Sequence, residues 1–335
     1  MDIREGKSDP QESQFPEDWI ASTTIAVNKG REEFIEEGLS KVIFEGKSYL
    51  LRELIERYPS QMVGEEHFKQ HGAHTRFLLK FLDSSIRLHL QAHPTIAFAQ
   101  QHLNSNSGKT EAYVILSVRE EVSEPYIYLG FQNVISSEEF KEAVSNQDLD
   151  KLLPCFEKIP IKAGDVFIVP GGMPHAIGEG VLMIEIMEPT DFAVRLEFER
   201  GGIVLPEEAR FMGRGVGFAA DMINFDIKSV PEVIAQHFCT PQLLDEQEGG
   251  KEYSLIGPEQ TTCFSVNRLD ISVKFVKSSD SFYAGIVSKG NGYMLHGDSK
   301  TILNEGDRFF VSYCATDVHY IGENDFELVL TFPPK

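Results

Sequence analysis

Residues 87–94, Arg-Leu-His-Leu-Gln-Ala-His-Pro, and 108–111, Gly-Lys-Thr-Glu, carry an amide oxygen, an imidazole and a carboxylate that can converge on one cation. Gln91 and His93 are two apart where Arg87, His89, Gln91 and His93 alternate with Leu88, Leu90 and Ala92. Successive strand residues point to opposite sides, so a strand here puts the four polar groups on one face. Pro94 cannot donate to a ladder and ends that strand. Glu111 opens a second alternating stretch, with Tyr113, Ile115 and Ser117 on its own face.

A third contribution comes from Ala163-Gly-Asp-Val-Phe-Ile-Val-Pro-Gly-Gly-Met-Pro-His-Ala-Ile. It reads as a turn, a short apolar strand, a Pro/Gly turn, and a histidine, His175, that opens the next strand. His93, Glu111 and His175 with Gln91 make two nitrogen and two oxygen donors, a set suited to a borderline divalent ion, zinc first. A strand histidine is more often hydrogen-bonded or exposed than ligating, so spacing alone leaves both readings open.

These segments resemble the type I phosphomannose isomerase family, zinc-dependent cupin enzymes that interconvert mannose 6-phosphate and fructose 6-phosphate. The resemblance rests on Lys80-Phe-Leu-Asp, Leu90-Gln-Ala-His-Pro, Gly108-Lys-Thr-Glu, Ala163-Gly-Asp with Pro170-Gly-Gly-Met-Pro-His-Ala-Ile, and Asp191-Phe-Ala-Val-Arg. They occur in the family's order over most of residues 15–200. The resemblance implies one Zn2+ per chain, held by Gln91, His93, Glu111 and His175. It also implies Lys109, Glu185 and Arg195 in the substrate site, with Lys80 near the sugar phosphate. Trp19 matches the family's early Glu-x-Trp segment. The sequence departs from the family at His89, where a phosphate-holding Ser is usual, and at Ala112-Tyr113, where a bulkier pair is common.

Strands must hold these groups, and the chain supplies many short ones between Gly/Pro turns. Expected strands are Thr75–Asp83, Pro125–Phe131, Glu157–Ile161, Asp165–Val169, Gly180–Glu188 and Phe192–Phe198. Lys80, inside the first, either snorkels to water or serves the site. Glu185 shares a face with Val181, Met183 and Met187 and is either exposed or inside a barrel mouth. Arg195, Glu197 and Glu199 share a face, as an exposed charge stripe or with Arg195 in the site. Short helices are expected from Arg31, from Ser48 to the stop at Pro59, from Ser136 and from Gln147.

The expected fold is mainly β: two cupin (jelly-roll, double-stranded β-helix) barrels with a small helical subregion. Expected domains are a loose arm at 1–14, a metal-binding cupin at 15–205 with helical insertions about 31–58 and 136–153, an irregular linker with helices at 206–255, and a metal-free cupin-like domain at 256–335. The last rests on an internal repeat, Ala163-Gly-Asp-Val-Phe-Ile-Val echoed by Glu305-Gly-Asp-Arg-Phe-Phe-Val. In ungapped register Asp317 stands opposite His175.

A formal net charge of −21 disfavours nucleic acid, and an anionic substrate needs local cations, which Lys80, Lys109 and Arg195 supply. No window is long and apolar enough for a membrane span, and the first residues lack a signal-peptide core. The four separated cysteines, Cys155, Cys239, Cys263 and Cys314, suit a reducing compartment, so a cytoplasmic monomer or homodimer is expected. The expected function is a metal-dependent aldose–ketose isomerase of a phosphorylated hexose. The rivals are a cupin that binds a sugar or sugar phosphate without turnover and an iron-dependent oxygenase, the latter disfavoured by a Gln ligand.

Overall fold

The computed structural model describes residues 17–26, 36–44 and 46–335. The arm expected over 1–14 and the first residues of the helix expected from Arg31 lie outside the described residues; Glu36–Gly38 form a turn. The chain groups into two compact units, Phe81–Cys239 in one, and Asp18–Lys80 with Thr240–Lys335 in the other.

The first unit is built on two antiparallel sheets. One runs, neighbour by neighbour, through Leu78–Ser84, whose residues from Phe81 on lie in this unit, Val181–Met187, Glu111–Val118 and Val166–Val169. The other runs through Val194–Arg195, Gln91–Ala92, His175–Ile177, Tyr126–Leu129 and Ile159–Pro160. Tyr113, Phe167 and Met183 from the first sheet pack with Ile127, Leu129 and Ile177 from the second in one core cluster. The second sheet turns Ala92, Ala176 and Val194 outward, onto helices Ser137–Asn146 and Gly215–Met222 through Phe140, Val144, Ala219 and Ala220. Small residues on that face let the helices approach, and the polar alternates Gln91 and His175 are left for the inner face. Ser136 opens the expected helix with a capping box, its hydroxyl accepting from the Glu139 N–H while Glu139 reaches back.

Two expected strands are shorter than read. Between Arg87 and His93 only Gln91–Ala92 is strand. The preceding residues are held instead by Glu197, which pairs with Arg87 at 2.8 Å and accepts from the Leu90 N–H. Between Phe192 and Phe198 only Val194–Arg195 is strand. Glu197 is 1% exposed, so the exposed Arg-Glu stripe does not exist: Glu197 is consumed by the buried pair with Arg87.

The end of the linker read as irregular over 206–255 forms strands Gln242–Gln247 and Gly250–Ile256 at the edge of the other unit's large sheet. The two pair with each other as a tight hairpin through Glu248-Gly249, a local glycine turn that the reading passed over, and Gly250–Ile256 pairs onward with Ser265–Ile271. Two long strands, Tyr283–His296 and Asp317–Phe332, carry most of that sheet.

The repeat is visible at the level of hydrogen bonds. Gly164 and Gly306 both occupy the left-handed region, at φ 89° and 87°. Each following aspartate accepts from the N–H three residues before it, Asp165 from Lys162 at 2.9 Å and Asp307 from Asn304 at 2.8 Å. Gly164 donates to Ile115 and Gly306 to Val287, and the return bonds run from Ile115 to Asp165 and from Val287 to Asp307. Val169 pairs with Glu111 where Val311 pairs with Tyr283, and His175 pairs with Gln91 where Asp317 pairs with Ser278. The ligating types are therefore replaced in the second copy. Tyr283, fully buried, shares a hydrogen bond with Tyr320 at 3.0 Å in place of the carboxylate position.

Candidate metal centre

The four expected ligand side chains meet on the inner faces of the two sheets. Across one sheet Arg195 faces Gln91 and Gln91 faces His175, so these residues point to one side. Across the other, Glu111 faces both Val169 and Met187, and Glu185 faces Tyr113.

His93 Nε2 lies 3.0 Å from Glu111 Oε1, and His175 Nε2 lies 3.4 Å from Glu111 Oε2. Ligand atoms of His93, Glu111 and His175 lie within 4.8 Å of one another, the only such group among the described residues. All three side chains are 1–2% exposed. The Gln91 amide reaches His175 Nε2 at 3.2 Å; a half-turn of the amide, which exchanges only its oxygen and nitrogen, presents the oxygen there.

The ring nitrogens are assigned by their partners. His93 Nδ1 donates to the Phe192 carbonyl at 2.8 Å, and His175 Nδ1 to the Met173 carbonyl at 2.9 Å. A carbonyl can only accept, so Nδ1 carries the hydrogen and each neutral ring turns an Nε2 lone pair to the cluster. Burial pushes the His93 imidazole down to about 3, against the pull of Glu111. Burial also lowers His175. Burial alone would raise the Glu111 carboxyl, yet its electrostatic attraction to His93 and then Lys109 holds it well below the usual carboxylate range. Two neutral imidazoles and an anion are the protonation states that ligation requires. Neither His93 Nε2 nor Glu111 Oε1 has a hydrogen-bond partner, although both are buried. A buried polar atom without a partner is costly, and a cation between them would satisfy both, so the residues fit a divalent ion.

Behind the ligands the chain is packed without slack. Gly172 donates to the His93 carbonyl at 2.6 Å and Lys109 to the Pro94 carbonyl at 2.9 Å. A Cβ on Gly108 would lie 2.6 Å from that Pro94 oxygen, and one on Gly171 2.5 Å from it, so only glycine fits either place.

The other expected site residues are distributed as follows. Lys109 Nζ lies 3.5 Å from Glu111 Oε1, at the centre. Glu185 is 2% exposed and faces Tyr113, on the inner face rather than in solvent. Arg195 is half-buried, and its Nη1 is buried without a hydrogen-bond partner. His89 is half-buried with Nε2 unpartnered, and burial lowers its imidazole, which opposes a protonated contact to phosphate at this position. Lys80 is 3% exposed, with its ammonium 5.3 Å from the Trp19 ring, so it does not snorkel to water. Both belong to the unit that contains Asp18–Lys80.

Sequence reasoning missed three supports. Tyr113 donates to Glu111 Oε2 at 2.9 Å, a partner that its place on Glu111's face could have suggested. Glu188 and Glu197 hold the Lys109 turn and the Gln91 segment, and nothing local marks either.

Two imidazoles and a carboxylate, gathered between antiparallel sheets and joined by an amide, form a candidate metal centre in a cupin-type fold. No family model matches the sequence. It is 28% identical over 236 residues to "Probable mannose-6-phosphate isomerase GmuF" of Bacillus subtilis, covering 70% of this chain and 68% of that one. The crystal structure of the mannose 6-phosphate isomerase from Bacillus subtilis superposes with a TM-score of 0.67 at 21% identity, over 86% of this chain and 83% of that one. A zinc-bound mannose 6-phosphate isomerase superposes at 0.70 and 14% identity, over 98% and 94%. The chain is thus similar in sequence to curated mannose-6-phosphate isomerases and shares the fold of solved ones.

Proposed function

We propose that this chain is a zinc-dependent isomerase interconverting mannose 6-phosphate and fructose 6-phosphate, with one zinc held by Gln91, His93, Glu111 and His175. The observation that carries the reading is the buried cluster in which two imidazoles, fixed in the ligating tautomer, share one carboxylate, with Lys109 3.5 Å from that carboxylate. The names of the relatives supply the reaction.

A bound divalent ion would polarise the sugar oxygens and stabilise an enediolate. The remaining work falls to side chains. Aldose-to-ketose conversion removes a proton from C2 and delivers one to C1, while the C1 carbonyl oxygen gains a proton and the C2 hydroxyl loses one. Glu185, buried on the inner face, takes the carbon-bound proton and returns it. Arg195 and Lys109 hold the charge that develops on oxygen, and burial of Lys109 strengthens its interaction. His89 lies within electrostatic range of Arg195 and is assigned to the substrate's phosphate end as a neutral donor. Lys80 and Trp19 are assigned to the phosphate on the resemblance alone. The reading puts the protein in the cytoplasm, as a monomer or homodimer with no nucleic-acid or membrane partner; no described helix is long and apolar enough to cross a membrane.

The lowered basicity of His89 favours one second reading, a cupin that binds a sugar without turning it over. Zinc-loaded protein and mannose 6-phosphate in deuterated water, followed by NMR with His93→Ala as control, separate the two. Fructose 6-phosphate from the parent alone supports the isomerase. Bound zinc with neither conversion nor deuterium uptake supports the binding protein.

A further inference from the structure

Glu188 ends the strand Val181–Met187 and is 3% exposed. Its carboxylate accepts from the Gly108 N–H at 2.9 Å through one oxygen and from the Thr110 N–H at 3.1 Å through the other. These are the two backbone amides that flank Lys109. The Glu188 N–H donates to the Thr110 carbonyl at 3.1 Å, and the Thr190 hydroxyl donates to the Gly108 carbonyl at 2.6 Å. Lys109's own N–H is taken by Pro94. The turn is thus tied on both flanks to residues 188–190 and at its centre to the residue after ligand His93.

We propose that Glu188 is the positioning residue of Lys109: its carboxylate bridges the amides on either side and fixes where the ammonium stands beside Glu111. A charged acceptor bonding two buried N–H groups is stronger than two neutral bonds, and a carboxylate alone offers two acceptor oxygens at that spacing. A glutamine would satisfy one amide and turn an N–H₂ toward the other. The inference rests on the role assigned to Lys109 in the isomerase reading.

The test is a double-mutant cycle in the zinc-loaded, full-length protein. Glu188→Ala lowers kcat by roughly tenfold to a hundredfold, as expected when a reacting group is displaced by about an ångström. KM stays within about twofold, bound zinc is unchanged, and amide exchange over residues 108–110 quickens. Glu188→Ala added to Lys109→Ala lowers kcat no further, because Glu188 acts through Lys109. Glu188→Gln falls between parent and Glu188→Ala, and carries the test if the alanine variant does not fold. Additive losses, an unchanged kcat, or zinc lost in step with activity would overturn the proposal. If the parent binds mannose 6-phosphate without turnover, the isomerase reading fails by itself. The cycle then runs on the dissociation constant, where non-additivity still supports Glu188 and additivity still overturns it.

Discussion

The hydrogen bond from His93 Nδ1 to the Phe192 carbonyl decides which nitrogen of His93 faces Glu111. The residue that fixes the ligand's tautomer is 99 positions away and contributes only backbone, as Met173 does for His175. Each imidazole is held with its Nε2 lone pair toward the carboxylate before any cation arrives.

Removing either imidazole should remove the metal. His93→Ala or His175→Ala is expected to weaken zinc binding by more than about a hundredfold, and Tyr113→Phe, which loses only the bond to Glu111, by about tenfold. Calorimetric titration of zinc into the metal-free proteins checks this, and parental affinity in His93→Ala would end the proposed site.

Arg195→Ala should lower turnover by about a hundredfold or more with zinc content unchanged, since its buried, unpartnered Nη1 is available to developing charge. Turnover at the parental level would leave Arg195 with no catalytic part.

The metal-free protein should lose stability in acid. His93 is held near 3 and His237 near 4, each chiefly by burial, while the unfolded chain titrates at the ordinary histidine value of about 6.5. Between these values the unfolded state binds the proton and the folded state does not. Stability is therefore fully present above about pH 6.5 and falls on acidification, by about 1.4 kcal/mol per pH unit for each such histidine. His237, whose two ring nitrogens have no partner, is the cleaner probe. Urea midpoints of His237→Phe against the parent between pH 4 and 6.5 should show a slope reduced by one proton; equal slopes would mean that His237 titrates normally when folded.

The Arg87–Glu197 pair, 4% and 1% exposed, should be expensive to break from one side. Glu197→Ala leaves a buried guanidinium and two donors unmatched, and is expected to cost about 3–5 kcal/mol in denaturant unfolding. Arg87→Met with Glu197→Leu should recover most of that loss, because no charge is then left buried. A double variant as unstable as Glu197→Ala would argue that the hydrogen bond to Leu90, not the charge, is what matters.

The sequence by itself determined the candidate donor set, the repeat and the start of the helix at Ser136. The capacity to ligate is a property of residue type, so Gln91, His93, Glu111 and His175 could be singled out as candidate donors before their placement was known. Period-two alternation is local, so Glu111 and Tyr113 could be assigned to one face before any partner strand was known. The Gly-Asp turns at Gly164 and Gly306 repeat because a positive φ constrains residue identity.

Tertiary structure alone decided the rest. The carbonyls of Phe192 and Met173 orient the imidazoles through atoms that every residue possesses, so no side-chain pattern can reveal them. Glu188 and Glu197 read as two more acids in a chain with a net charge of −21. Only the pairing of distant segments buries them and matches each carboxylate to amides or a guanidinium about 80 to 110 residues away. Pairing also explains why Arg87–Leu90, with a perfect strand alternation, is not strand: its bonds go to Glu197, Ile177 and Leu196 instead of to a continuous ladder.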